Sequence, residues 1–265
     1  MRSDYGGQRA LMEDRSMQET LKWQAQLVWP RERPLLERSA ADALKGRVLD
    51  LACGTGEILR RVRAEFEPRL AVGVDLFPGH LRRADPPVVH GDGFALPFAD
   101  RTFDLVLVRH VMQALPDPVG LLKEARRVLR PGGLVHAVAE DYFGLFFDDP
   151  DDQGTTYHFP QVSPLFQPEG TDLLQGRRAP RHMEEAGLEV VGVEPLLVDN
   201  RDGDGEALAR VFEHWRDGYA KKLAALLGVP ETETVRRFDR MASLSRDPAR
   251  YTAWLLFVAT GRRVD

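Results

Sequence analysis

The chain has 265 residues, 43% of them hydrophobic, and its 41 acidic against 36 basic side chains give a formal net charge of -5. That length suits one large domain, or one domain carrying an elaboration, and the apolar content excludes global disorder. The acidic balance argues against a general polyanion-binding surface, so no nucleic-acid partner is expected.

The first 45 residues read as helical, with one apolar stripe at Leu21, Ala25 and Val28 and a second at Leu35, Leu36 and Ala40, after Pro30 and Pro34. Four strand-length apolar runs follow: Arg47–Ala52, Leu70–Leu76, Phe103–Arg109 and Gly133–Ala139. Each is apolar on both faces and bounded by Gly, Pro or Asp, as a parallel strand buried between helix layers requires. Helical segments at Glu57–Glu67, Pro78–Arg83 and Pro118–Leu129 separate them, which predicts a doubly wound, Rossmann-like α/β sheet.

Beyond Ala139 the pattern loosens. Asp148, Asp149, Asp151 and Asp152 around Pro150 read as a solvated acidic turn, and Gln153–Pro168 reads as loop. A helix over Thr171–Ala186 stops at Gly187, and Leu188–Val198 and Tyr251–Thr260 read as the last two strands. Between them lie helical stretches Glu206–Leu227 and Glu231–Leu244, where a tight turn would suffice. The organisation expected is therefore an N-terminal helical lid over 1–45, a ligand-binding domain over 46–200 and 247–265, and an inserted helical cap over 201–246.

Cys53 is the single cysteine, so neither an internal disulfide nor a multi-cysteine zinc site is available. The seven histidines form no H-x-x-x-H pair, and no metal is expected. Met1–Thr20 lacks the apolar core of a signal peptide, and the longest apolar run, Ala253–Ala259, has seven residues against the ~20 that span a bilayer. A cytoplasmic protein without a membrane partner is the expectation.

The densest chemical signal is Val48-Leu49-Asp50-Leu51-Ala52-Cys53-Gly54-Thr55-Gly56-Glu57-Ile58, a strand passing through a glycine turn into a helix. Gly54 and Gly56 allow a sharp turn and a close approach to a ligand. Asp75 stands nineteen residues after Gly56, close to the spacing at which an acid reaches a ribose diol. The two features together indicate a nucleoside-cofactor site; a purely structural glycine turn is the bland alternative. A dehydrogenase would carry a third glycine at position 59, which is Leu.

Three later blocks narrow the choice: His90-Gly91-Asp92-Gly93-Phe94-Ala95-Leu96-Pro97-Phe98, Leu115-Pro116-Asp117-Pro118, and Arg130-Pro131-Gly132-Gly133. With the glycine turn they resemble the class I S-adenosylmethionine (SAM)-dependent methyltransferases, in particular the small-molecule enzymes of ubiquinone and menaquinone synthesis. The likeness is dense over 45–140 and loose over 170–200. One departure is Ala52, where the family usually has glycine. The resemblance implies that Asp75 accepts the ribose hydroxyls, that Asp92 and the Gly93 amide hold adenine with Leu76 on its face, and that Asp50, Ala52 and Arg109 hold the methionine ammonium. It also implies an N-terminal helix folded over the cofactor, which brings in Tyr5.

An acceptor would lie beyond the carboxyl ends of the strands. Arg109, His110 and Gln113 follow the third of the four runs, and Glu140, Asp141 and Tyr142 follow the fourth. His110 is the general-base candidate, or a local hydrogen-bonding residue at the start of a short helix. Glu140 or Asp141 would attract a cationic amine, or cap the next segment; Asp141 and Tyr142 join His110 as catalytic candidates. In the inserted cap, Phe212, Trp215 and Tyr219 read as a buried stripe more readily than as a substrate box. The function expected is methyl transfer from SAM to a small molecule at O, N or C by a monomer or homodimer. Cyclisation within SAM, or SAM binding without catalysis, are the alternatives.

Overall fold

A computed structural model describes residues 14–151 and 159–265. Tyr5, Tyr157 and His158 lie outside the described residues. In chain order the elements are α1 (Arg15–Leu44), β1 (Arg47–Leu51), α2 (Glu57–Phe66), β2 (Leu70–Asp75), α3 (Pro78–Leu81), β3 (Val88–His90), β4 (Phe103–Arg109), α4 (Pro118–Val128) and β5 (Leu129–Phe147). There follow α5 (Phe159–Phe166), α6 (Gln175–Glu185), β6 (Glu189–Asp199), α7 (Gly205–Leu227), α8 (Glu231–Arg246) and β7 (Thr252–Arg262).

The strands form one seven-stranded sheet in the order β3-β2-β1-β4-β5-β7-β6. Pairs β1–β2, β1–β4, β2–β3 and β4–β5 are parallel, and β7 runs antiparallel between β5 and β6. The doubly wound α/β reading therefore holds. The chain reverses its winding between β1 and β4, and a crevice opens outside their carboxyl ends, where such sheets bind ligands.

Three expectations are corrected. The prolines were expected to divide the N-terminal helix; instead Pro30 and Pro34 sit inside α1, and its backbone break falls at Ala40 (φ -141°, ψ 24°). Each proline lacks the N–H that would donate a helical hydrogen bond, but Leu27, Val28, Trp29 and Leu36 around them are buried, and that packing holds the helix together. Gln153–Pro168 is not all loop: α5 and a 3-10 turn at Gln167–Glu169 occupy its second part, with Phe159, Val162 and Phe166 turned into the core.

The third correction bears most on the site. The strand expected over Gly133–Ala139 runs on to Phe147, because β7 supplies ladder partners as far as Phe147↔Thr252. Its register slips between Glu140 and Leu145, so Glu140 is the last residue paired before a bulge that holds Asp141 and Tyr142 inside a long strand. Bulges of this kind re-aim side chains.

Helices α7 and α8 lie between β6 and β7 as expected. They share one apolar core with α1, α5 and the β5–β7–β6 part of the sheet, through Leu27, Val28, Phe159, Trp215, Phe238 and Trp254. The acidic turn is not simply solvated, since the Asp149 side chain is covered and its carboxylate pairs with Arg240 of α8, as does that of Asp151. No helix among the described residues is long and apolar enough to cross a membrane.

Candidate functional site

The turn after β1 carries three successive departures into left-handed backbone, Ala52 (φ +62°), Gly54 (φ +54°) and Gly56 (φ +75°). Glycine is at ease there and alanine is not, which explains why glycine would suit position 52. A Cβ on Gly54 would stand 2.7 Å from the Leu21 Cδ1 atom of α1, so the helix rests directly on the turn. Between them lies a crevice with about 390 Å³ of empty space, walled by Leu21, Gln24, Asp50, Ala52, Arg109 and His110, among others.

Asp50 is buried at the end of β1. Burial pushes its carboxyl up to about 7; Arg109 opposes the shift, and the negative charges of Glu32 and Asp75 reinforce it. A group so placed gains from the arrival of a cation. The Arg109 guanidinium is not free to take that part, because Glu32 of α1 holds it with bonds of 2.8, 2.9 and 2.5 Å. Burial alone would raise Glu32, but the charge of Arg109 and a contact with buried His136 at 3.6 Å hold it down to about 2.

Asp75 sits at the end of β2 with both oxygens engaged: Oδ2 accepts from the Gly54 amide and Oδ1 from the Phe77 amide, each at 2.8 Å. It thereby ties the glycine turn to the second strand. Asp92 accepts from the Phe94 amide at 2.9 Å, and a Cβ on Gly93 would lie 2.7 Å from Leu121 Cδ1. Asp75, Leu76, Asp92 and Gly93 line neither this crevice nor the cavity beside it, whereas Asp50, Ala52, Gly54 and Arg109 wall the crevice together.

The second cavity is larger, with about 780 Å³ of empty space. It shares Leu21, Gln24 and His110 with the crevice. Its remaining walls come from α1, the β5 bulge, α5 and the two cap helices, including Tyr142, Phe159, Trp215, Tyr219 and Phe238. Trp215 and Tyr219, read from sequence as a buried stripe, are thus cavity walls as well. Tyr142 is ringed by Phe159 and Trp215 at centroid distances of 5.1 and 5.4 Å.

His110 follows β4 with a left-handed backbone (φ +51°). Its Nδ1 lies 2.8 Å from Glu140 Oε1. Glu140 is fully buried and also accepts from Gln24 Nε2 at 3.2 Å and from the Tyr142 hydroxyl at 2.6 Å. Its carboxylate therefore directs the His110 proton to Nδ1. Nε2 of His110 is buried without a hydrogen-bond partner among the described residues. Burial and the neighbouring Glu140 raise the Tyr142 phenol well above its usual range, so it stays a donor.

Asp141, a catalytic candidate from the sequence, lines neither cavity; its carboxylate accepts from the Arg177 guanidinium through both oxygens, at 2.6 and 3.0 Å. Of the two adjacent acids Glu140, read from the sequence as an attractor of amines or a cap, is the one that lines the cavity. Gln24 and Glu32 escaped sequence reading altogether. The signal available was a polar residue on an apolar helical stripe: Gln24 beside Leu21, Ala25 and Val28, and Glu32 one turn on.

The strand order, the glycine turn after β1 and the crevice at the reversal of winding resemble those of the class I SAM-dependent methyltransferases. More particularly, residues 49–137 match the family model described as a methyltransferase domain, and SAM is the cofactor of that class. A demethylmenaquinone methyltransferase of Corynebacterium kroppenstedtii is 39% identical over 90 residues, covering 33% of this chain and 38% of that protein. An uncharacterized 37.1 kDa protein in a transposon of Streptomyces fradiae is 32% identical over 173 residues, covering 62% of this chain and 49% of that one. The chain thus spans about half or less of the length of these relatives. Among solved structures, a chain of the complex between the Haloferax volcanii Trm112 methyltransferase activator and a methyltransferase superposes over 100% of both chains, with a TM-score of 0.59 and 17% identity. That likeness speaks for the fold.

Proposed function

We propose that this chain transfers the methyl group of SAM to a small, largely apolar molecule held in the aromatic cavity, with His110 Nε2 taking the acceptor's proton. The observation that carries this reading is the meeting of crevice and cavity at one imidazole, whose far nitrogen is held by Glu140 and whose near nitrogen is unpartnered among the described residues.

The crevice fits the cationic end of SAM: Asp50 is a buried acid without an ion-pair partner among the described residues, and the turn at Gly54 leaves backbone bare where a Cβ would intrude. Asp50 and the backbone at Ala52 would take the ammonium, with Arg109 held aside by Glu32 as a fixed wall. When bound, SAM supplies a methyl group on a positively charged sulfur, so no residue is needed to activate the donor. The chain's task is to align the acceptor and exclude water. Leu21 and Gln24 of α1 border both spaces and would separate donor from solvent. Asp75, Leu76, Asp92 and Gly93 are assigned to the adenosine half on the family resemblance, and the division into lid, binding domain and cap is likewise our reading.

A separate aromatic cavity that meets the crevice at His110 favours an external acceptor over cyclisation within SAM. The test is product analysis with a panel of hydroxylated aromatics and amines. Formation of S-adenosylhomocysteine with a methylated acceptor supports the reading; methylthioadenosine, or no turnover of any compound, contradicts it.

A further inference from the structure

Five of the cavity's polar side chains, Gln24, His110, Gln113, Glu140 and Tyr142, are linked around the meeting of β4 and β5; Thr20, Thr171 and Tyr219 stand elsewhere on a lining that is otherwise apolar and aromatic. Within that polar corner, Gln113 has a position that the proposed chemistry does not use. It is 9% exposed and lines the cavity three residues beyond His110. Its Nε2 donates to the His110 carbonyl at 2.9 Å. A carbonyl can only accept, so this bond fixes which way the amide faces. Its Oε1 is then left buried without a partner among the described residues, as is His110 Nε2.

With Nδ1–H on Glu140, His110 Nε2 is an acceptor, and Gln113 Oε1 is an acceptor too. Buried acceptors without donors are costly, about 1–3 kcal/mol each, and mark a place where a ligand completes the bonding. Because the Gln113 amide is anchored on the backbone of His110 itself, both acceptors belong to the same end of the cavity. Aromatic side chains, Tyr142, Phe159, Trp215, Tyr219 and Phe238, make up much of the remaining wall.

We infer that Gln113 is a specificity-determining residue that reads a second hydrogen-bond donor on the acceptor, which is an aromatic ring carrying the reacting hydroxyl and, beside it, a further hydroxyl or amino group. The inference rests on the proposed use of this cavity for the acceptor. His110 Nε2 receives the proton of the reacting hydroxyl, while Gln113 Oε1 accepts from the neighbouring donor and sets the ring's orientation. An acceptor lacking the second donor leaves Oε1 buried and unpaired, and sites built around such a bond discriminate strongly against the analogue without it.

The test uses the full chain loaded with S-adenosylhomocysteine and three probes measured by calorimetry: 2,3-dihydroxynaphthalene, 2-naphthol and 3-methoxy-2-naphthol. The diol is expected to bind about tenfold more tightly than either of the others. In Gln113→Leu the advantage falls to twofold or less, with 2-naphthol affinity retained. Equal binding of all three to the unaltered chain overturns the inference, as does an advantage that survives in a folded Gln113→Leu. The comparison in the unaltered chain stands whether or not the variant folds. Methylation is followed separately with SAM. If 2-naphthol is methylated and the diol has no advantage, Gln113 loses its role while the proposed function stands. If the diol has its advantage and none of the three is methylated, the Gln113 assignment stands and methyl transfer to this class is refuted.

Discussion

The crevice and the cavity are built in opposite ways. The crevice is made chiefly from two strand ends and one glycine turn, contiguous in sequence from Asp50 to Ile58 and closed by Arg109 and one face of α1. The cavity draws on six separated stretches, from Met17 in α1 to Phe238 in α8. Three side chains, Leu21, Gln24 and His110, belong to both, and His110 is the one shared imidazole. A site that binds a fixed chemical group can be encoded locally, whereas a site that selects among acceptors is assembled from segments that vary independently.

The contrast can be broken most severely at the shared imidazole. His110→Ala should lower turnover by roughly 10²–10⁴-fold while leaving SAM affinity within a factor of about three. Following S-adenosylhomocysteine formation alongside calorimetric titration separates the two effects. Normal turnover would return His110 to a structural role.

Next in size is the ion pair that pins α1 over the crevice. Glu32→Ala leaves Arg109 buried without its partner and should destabilise the fold by about 3–5 kcal/mol in denaturant titration. The sign with pH follows from a carboxyl held down to about 2: the pair's contribution is present above the ordinary glutamate range and is lost as pH falls through about 2. The variant should accordingly lose less stability than the parent on acidification through that window.

Asp50 responds in the reverse sense. Its carboxyl is raised from 3.8 to about 7, so the folded chain holds a proton that the unfolded chain releases, and stability drops as pH rises across that interval. Asp50→Asn should remove the drop and gain on the order of 2 kcal/mol at pH 8, yet weaken SAM binding at the same pH. A cation arriving at Asp50 expels the proton, so SAM binding near pH 6 should release protons, and binding above pH 8 should not. Titrations in two buffers of different ionisation enthalpy read this directly, and proton uptake would remove Asp50 from the ammonium site.

The smallest effect sharpens the account of the turn. Ala52→Gly relieves a left-handed alanine and should stabilise the fold by about 1 kcal/mol, with SAM affinity little changed. Thermal denaturation that shows a loss instead would mean that the Ala52 methyl packs favourably enough to outweigh the strain.

How much of this was legible in the sequence follows the same division. Parallel strands apolar on both faces, the Gly54–Gly56 turn and Asp75 at its spacing are local patterns, and the sheet that forms from them is the one expected. The three-residue β3 was missed because Val88–His90 is too short to show a period. The extension of β5 through Phe147 was missed because its ladder partners lie more than a hundred residues away on β7. That extension decides which of two adjacent acids faces the cavity, so Glu140 and Asp141 could not be told apart from the sequence. Gln24, Glu32 and Gln113 gain their meaning only from partners that the fold supplies.

A crystal structure of the chain with S-adenosylhomocysteine bears most directly on whether donor and acceptor spaces converge at one imidazole. The sulfur should lie where Leu21, Gln24 and His110 border both spaces, with the amino group on Asp50 and the aromatic cavity left open beyond it. A sulfur buried away from His110, or the adenosine moiety itself filling the aromatic cavity, would contradict the account.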